Sequence, residues 1–271
     1  MFYFFFYGVL IAIFALLMGI LQQTLNDFYP TFMLDSSAIG TNPGLGFRPM
    51  PPYNETESTL IHFAPPYRYT WEHWVEDLTT YLDPYEKTDE SSGEYVSQCS
   101  FGRPREPNKV CFFDIKTLGT ICTKENFFGY DRGYPCILLK LNRIIGWKPE
   151  VYESMDELPH DMPKDLRERI QKEANKHGNT PPAMVWVSCS GVTAADVENM
   201  GALEYAPYPG FPAYFFPYES TPGFRSPLIA LRFTGPEAGV VISVECRAWA
   251  KNIIQDRANR RGFIRFELLR D

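Results

Sequence analysis

The sequence predicts a mainly β protein: a single transmembrane helix followed by an immunoglobulin-like antiparallel β-sandwich ectodomain with short helical insertions. Three observations predict it. The chain opens on MFYFFFYGVLIAIFALLMGILQQ, and its first charged side chain is Asp27. From residue 109 onward, short runs rich in Val, Ile, Phe and Trp are separated by Gly, Pro and Asn. All six cysteines lie beyond the opening stretch, and the separation of Cys189 and Cys246 is close to that of the inter-sheet bridge of immunoglobulin domains.

The opening stretch sets the first boundary. Residues 1–21 are apolar, aromatic or Gly, and as a helix they span about 30 Å, the hydrocarbon thickness of a bilayer. A secretory signal peptide would need a basic leading region and a small-x-small cleavage site. No Lys or Arg precedes Arg48, and Leu21-Gln22-Gln23-Thr24 is a poor cleavage site. A buried core helix is the other alternative, but so long an uninterrupted apolar run is rare in soluble folds. Residues 1–26 are therefore expected to be a transmembrane helix.

Residues 27–68 read as a juxtamembrane linker, because Thr41 to Gly46 and Pro49 to Pro52 oppose regular structure. Gly44-Leu45-Gly46 is no phosphate loop, since prolines follow where a helix should begin. Residues 69–271 read as one disulfide-bonded domain, since roughly 240 residues beyond the span can bury a sizeable core. Trp71, Val75, Leu78 and Leu82 recur at helical spacing and predict a helix over 69–81. The acidic run Asp83 to Glu94 reads as a solvated loop. Strands are expected at 110–115, 136–145, 184–189, 228–234, 240–249 and 263–269. In the fifth, Val240, Ile242, Val244 and Cys246 fall on one face, and Ser243, Glu245 and Arg247 on the other. One helix interrupts the series. Pro163 starts it, Leu166, Ile170 and Ala174 form its narrow stripe, and Gly178 stops it, which predicts a surface helix.

Charge and cysteines bound the function. The net charge of −7 lies wholly beyond the span, which disfavours nucleic acid as a partner. Cys99, Cys111, Cys122, Cys136, Cys189 and Cys246 show no C-x-x-C spacing and no zinc-finger histidines. An even count without metal spacing implies disulfides in an oxidising compartment. Six cysteines allow many pairings, and sequence alone selects none of them. Asn54-Glu55-Thr56 is the only N-x-S/T sequon, a candidate glycan site at Asn54. Together these place the C-terminal side outside the cell. The expected localisation is the plasma membrane, single-pass type II, with the N-terminus cytosolic and the C-terminus extracellular.

Catalytic signatures are missing. There is no H-E-x-x-H, G-x-S-x-G, Walker loop or D-x-D. His62, His73, His160 and His177 are scattered, and Cys189 among Ser188 and Ser190 is better placed in a disulfide than as a nucleophile. No catalytic residue, no metal and no cofactor are expected. The anchor is more informative. Gly8, Ala12, Ala15 and Gly19 fall within about 60° of one another on a helical projection, a small-residue stripe that admits a neighbouring helix. Tyr3, Tyr7, Leu10 and Phe14 form a second stripe about 120° away. Tyr7 and Phe14 lie too deep for an interface belt, so the stripe points to a helix partner in the membrane.

The chain resembles the beta subunits of the Na,K- and H,K-transporting P-type ATPases. The resemblance runs from Phe2-Tyr3 … Phe6-Tyr7-Gly8 in the anchor, through Cys111-Phe112-Phe113-Asp114 and Phe128-Gly129-Tyr130 … Pro135-Cys136, to Tyr214 … Phe216-Pro217-Tyr218. Its most specific segment is Lys140-Leu141-Asn142-Arg143-Ile144-Ile145-Gly146-Trp147. The resemblance implies an immunoglobulin-like ectodomain and three disulfides paired in order along the chain. It also implies a non-catalytic role beside a catalytic alpha subunit: helping it fold and leave the endoplasmic reticulum, and modulating its potassium affinity. By the same resemblance, Tyr3, Phe6, Tyr7, Gly8 and Phe14 would pack on the alpha subunit's seventh and tenth membrane helices. Tyr214, Phe216, Pro217 and Tyr218 would cap its last large extracellular loop. Membrane lipid and a small single-span regulatory subunit are further expected partners. The family's cytosolic tail is not part of this sequence, sequons are fewer than in many relatives, and Glu219-Ser220 stands where relatives often have Gly-Lys. The low sequon count favours the Na,K type. The alternative reading is an immunoglobulin-like single-pass adhesion glycoprotein, which would not need a two-striped anchor.

Overall fold

The structure, a computed structural model, describes residues 2–25, 29–52, 58–87, 95–176, 178–256 and 261–271. It begins with helix α1 (Phe2–Thr24). The strands follow as β1 (Leu45–Arg48), β2 (Leu60–Phe63), β3 (Val96–Ser97), β4 (Val110–Cys111), β5 (Cys136–Leu141), β6 (Met184–Gly191), β7 (Ala202–Ala206), β8 (Gly210–Pro212), β9 (Leu228–Thr234), β10 (Val241–Trp249) and β11 (Phe263–Arg270). Three further helices are α2 (Glu72–Glu86), α3 (Lys164–Lys176) and α4 (Ala194–Asn199).

Two sheets form the body. One has the order β1-β5-β9-β7 and is antiparallel throughout. The other has the order β2-β11-β10-β6-β8 and is antiparallel except for β2, which runs parallel to β11. Alternate residues of both sheets meet in one core. Phe266 of β11 shows how: its ring lies 5.1 Å from Phe47 of β1 and 6.2 Å from Phe233 of β9 in the opposite sheet. Edge-to-face and tilted ring contacts at these distances add to plain area burial.

Both outer faces are covered in part. Arg48 and Lys140 leave the four-stranded sheet on its outer side, where both reach the ring of Tyr81 in α2. Trp74, Leu78, Leu82 and Tyr85 turn the other flank of α2 into the core. On the five-stranded sheet, Met184 and Trp186 of β6 and Trp249 of β10 form a second cluster with Leu166 and Ile170 of α3. The stripe predicted on this helix is thus buried against a sheet face. The outward face of β10 is half-solvated where Ser243 and Arg247 stand and closed at Trp249.

Several expectations need correction. The stretch 27–68, expected to be irregular, supplies β1 and β2. Leu45 and Phe47 alternate inward, and that burial outweighs the local Gly and Pro content. The predicted strand over 110–115 shrinks to Val110–Cys111, because Asp114 caps a 3-10 turn over Ile115–Leu118 through its side chain. The helix predicted over 69–81 begins at Glu72 and runs on to Glu86, taking in Pro84 and the start of the acidic run. Residues 88–94 of that run lie outside the described residues.

The bridges are Cys99–Cys111, Cys122–Cys136 and Cys189–Cys246. The last is not an inter-sheet bridge. Cys189 of β6 and Cys246 of β10 are register partners on adjacent strands of one sheet. The separation along the chain therefore resembles that of an immunoglobulin domain, while the geometry differs.

Candidate partner interface

Helix α1 is the one described helix long and apolar enough to cross a membrane. None of its residues is buried. Tyr3, Phe6, Tyr7 and Phe14 are all exposed, and a Cβ added at Gly8 would meet nothing within 4 Å. The rings nearest the N-terminus touch only one another: Phe2 stacks on Phe6 at 6.3 Å, and Phe6 meets Tyr7 edge-on at 5.5 Å. Both predicted stripes are thus free along the helix, and a partner helix can reach either.

The second candidate region lies between β8 and β9. Tyr214 belongs to a 3-10 turn over Ala213–Phe215 that follows β8 directly. Its ring packs edge-on against Phe101 at 5.4 Å and lies tilted against Phe215 at 4.8 Å. Burial, with a smaller contribution from Tyr208, pushes its hydroxyl up to about 12. Phe216 meets Trp147 edge-on at 5.5 Å. Pro217 is buried and follows a cis peptide bond. Its carbonyl accepts a hydrogen bond from Arg105 at 3.0 Å, and Arg105 also pairs with Glu219 at 3.2 Å.

Tyr218 joins this segment to the end of β5. The N–H of Gly146 donates to the Tyr218 carbonyl at 2.9 Å, and Ile145 forms an isolated parallel bridge with Tyr218. Arg143 lies 5.2 Å from the centroids of both Tyr218 and Phe224, and its Nε donates to Ser226 Oγ at 2.9 Å. The fold therefore brings together the two segments that the sequence offered separately, Lys140–Trp147 and Tyr214–Tyr218. It also turns much of the aromatic motif inward. Tyr214, Phe216 and Tyr218 are half-buried, so each offers one side to a partner while the other holds the unit together.

Sequence reading missed Phe101, Arg105, Trp147 and Phe224 as supports of this segment. They lie far apart in the chain, and no local periodicity links them. Asn54 lies outside the described residues. Among the described residues there is no group of three or more His, Cys, Asp or Glu side chains able to hold a metal ion.

Comparison with known proteins follows the same extent. The sodium/potassium ATPase beta chain family matches residues 1–266. The chain is 45% identical over 272 residues to the sodium/potassium-transporting ATPase subunit beta-2 of Drosophila melanogaster, covering all of this chain and 84% of that protein. It is 40% identical over 273 residues to subunit beta-1 of the same fly, with the same coverage. Against subunit beta-2 of Homo sapiens it is 28% identical over 284 residues, covering 99% of this chain and 84% of the human protein.

Proposed function

The chain belongs to the sodium/potassium ATPase beta chain family, and from that premise we propose that it is the non-catalytic beta subunit of a sodium/potassium-transporting ATPase. In this role it assembles with a catalytic alpha subunit, supports that subunit's folding and delivery to the plasma membrane, and modulates its potassium affinity. The chain lies N-terminus in and C-terminus out, with its disulfides in the oxidising compartment. The single observation that carries this reading is a helix of 23 residues with no buried side chain and two distinct stripes. A lone anchor needs no such pattern, whereas a helix recognised inside the membrane does. The half-buried Tyr214–Tyr218 unit supports a second contact outside the membrane.

Affinity purification of the tagged full-length chain from its native membrane, in mild detergent, tests the reading. A larger ATPase polypeptide in stoichiometric amount is the expected result. The chain freed of that polypeptide should hydrolyse no ATP. Recovery of the chain alone, or steady hydrolysis by the isolated chain, would overturn the assignment.

A further inference from the structure

A cavity of about 590 Å³ opens between the C-terminal half of α2, the end of β5 and the segment leading into β9. Three cations line it: Lys140, Arg143 and Arg225. None of them has a carboxylate within 4.0 Å among the described residues. Neutral groups hold them instead. Arg143 donates to Ser226 Oγ and lies against two aromatic rings. Arg225 donates to the carbonyls of Pro84 at 3.0 Å and Phe224 at 3.2 Å. The Lys140 ammonium lies 5.7 Å from the Tyr81 centroid. A fourth cation, Arg48, approaches the same ring but is paired with Asp77 at 3.2 Å.

This gathering is unusual for a chain of net charge −7. Burial, followed by the neighbouring Arg48 and Arg143, holds the Lys140 amine below the ordinary lysine range, so the mutual repulsion is not relieved inside the protein. A concave wall concentrates the field of such charges. Ammonium and forked guanidinium donors match the oxygens of a carboxylate or sulfate better than any other common group.

We propose that this cavity is an oxyanion site that receives a carboxylate-like group. Two sources share that chemistry: an acidic side chain of the partner subunit and a free anion of the medium. The geometry favours the partner, because Arg143 both lines the cavity and backs Tyr218 in the proposed interface. That preference rests on the functional reading above, whereas the site itself does not.

The test uses the full-length chain in nanodiscs, its lysines carrying ¹³C-methyl groups, observed by NMR. The variant Lys140→Arg identifies the Lys140 signal. One arm titrates inorganic sulfate into the isolated chain at constant ionic strength set with chloride. The other compares the chain with its complex with the larger subunit in the absence of sulfate. Occupancy should raise the pH at which Lys140 titrates, and Arg143→Gln should weaken sulfate binding about tenfold. A rise in the complex identifies a partner carboxylate, and a rise with sulfate in the isolated chain identifies a free anion. If the complex forms and neither arm moves the Lys140 signal, the site is refuted and the interface reading stands. If no complex forms but sulfate binds, the interface reading fails and the site stands. If no complex forms and sulfate leaves the signal unmoved, both fail.

Discussion

The guanidinium carbon of Arg143 lies 5.2 Å from the ring centroid of Tyr218. The pair links the end of β5 to the segment after β8, 75 residues further along the chain. Cation–π contacts of this kind contribute about 0.5–1 kcal/mol when partly exposed, and the Arg143 bond to Ser226 adds about 1 kcal/mol.

Arg143→Ala should therefore destabilise the protein by about 1–2 kcal/mol. Arg143→Lys should recover only part of this, since an ammonium lacks the planar fork that reaches Ser226 while stacking on Tyr218. A double-mutant cycle with Tyr218→Ala should show a coupling of about 0.5–1 kcal/mol. Urea unfolding of the full chain in detergent, followed by tryptophan fluorescence, measures it, with Trp147 inside the same unit. Strict additivity of the two changes would show that the rings and the cation merely coexist.

Glu245 gives a pH prediction. Its carboxylate is buried and pairs with Arg247 and Arg265, both at 2.6 Å. Burial alone would raise its pKa, but the hydrogen bonds and charges of Arg265 and Arg247 outweigh burial and hold it below the usual glutamate value. A carboxyl depressed in the folded state contributes stability that is complete above its unfolded value, about 4.3, and is lost as pH falls through the folded value. Glu245→Gln should thus cost about 2 kcal/mol at neutral pH, less than for a fully buried pair because Arg265 is half-exposed. The gap between the mutant and wild-type unfolding curves should be flat above pH 6 and close on acidification toward pH 3. A gap that stays constant to pH 3 would mean that shape, and not charge, sets the cost.

The pattern of hits and misses among the strands has a physical cause. The runs read from sequence as β5, β6, β9, β10 and β11 all lie inside a sheet. Within the two large sheets the strands not foreseen, β1, β2, β7 and β8, are the four edges, and the short β3 of the separate β3-β4 pair was not foreseen either. The interior strands β5 and β9 are covered on both faces along most of their length, so their apolar runs are dense, as in Leu228-Ile229-Ala230-Leu231, whereas β10 and β11 show the alternation of a sheet with one half-solvated face. An edge such as Ala202-Leu203-Glu204-Tyr205-Ala206 is half-exposed and mixes polar residues freely. The candidate interface was legible in part. Its two motifs could be read from the sequence, but their union through Arg143, Tyr218 and Phe224 depends on contacts across some 80 residues. Helix α4 carried a signal that went unread: Thr193 and Asp196 form a capping box.

The disulfides give a ranking. Cys189 and Cys246 are 57 residues apart, while the other bridges span 12 and 14. In the chain-entropy model the long loop contributes about 4 kcal/mol and each short one about 3. Replacing Cys189 and Cys246 together by Ala should therefore lower stability by more than replacing Cys99 and Cys111, although β6 and β10 keep their ladder. Denaturant midpoints of the two double variants test the order. Peptide mapping without reduction tests the pairing, and a peptide joining Cys111 to Cys122 would refute it.

The anchor carries the last prediction. Tyr3 and Tyr7 sit one turn apart on α1, 72% and 59% exposed. Two hydroxyls on a bare helix seek partners, and in a bilayer a neighbouring helix supplies them at about 0.6 kcal/mol per bond. The rings add packing area, which drives association where lipid gives no hydrophobic gain. Changing Tyr3 and Tyr7 together to Leu should leave membrane insertion intact, because Leu is at least as apolar. It should weaken assembly with the alpha subunit or shift the potassium dependence of transport. Gly8→Leu meets no steric conflict within this chain, since nothing lies within 4 Å, so any assembly defect it causes must come from a helix approaching the small-residue stripe. Co-immunoprecipitation in mild detergent and potassium activation of transport separate the two stripes. If the Tyr3→Leu, Tyr7→Leu chain matched wild type in both, the aromatic stripe would be an ordinary lipid-facing surface. The anchor would then be recognised, if at all, through Gly8, Ala12, Ala15 and Gly19.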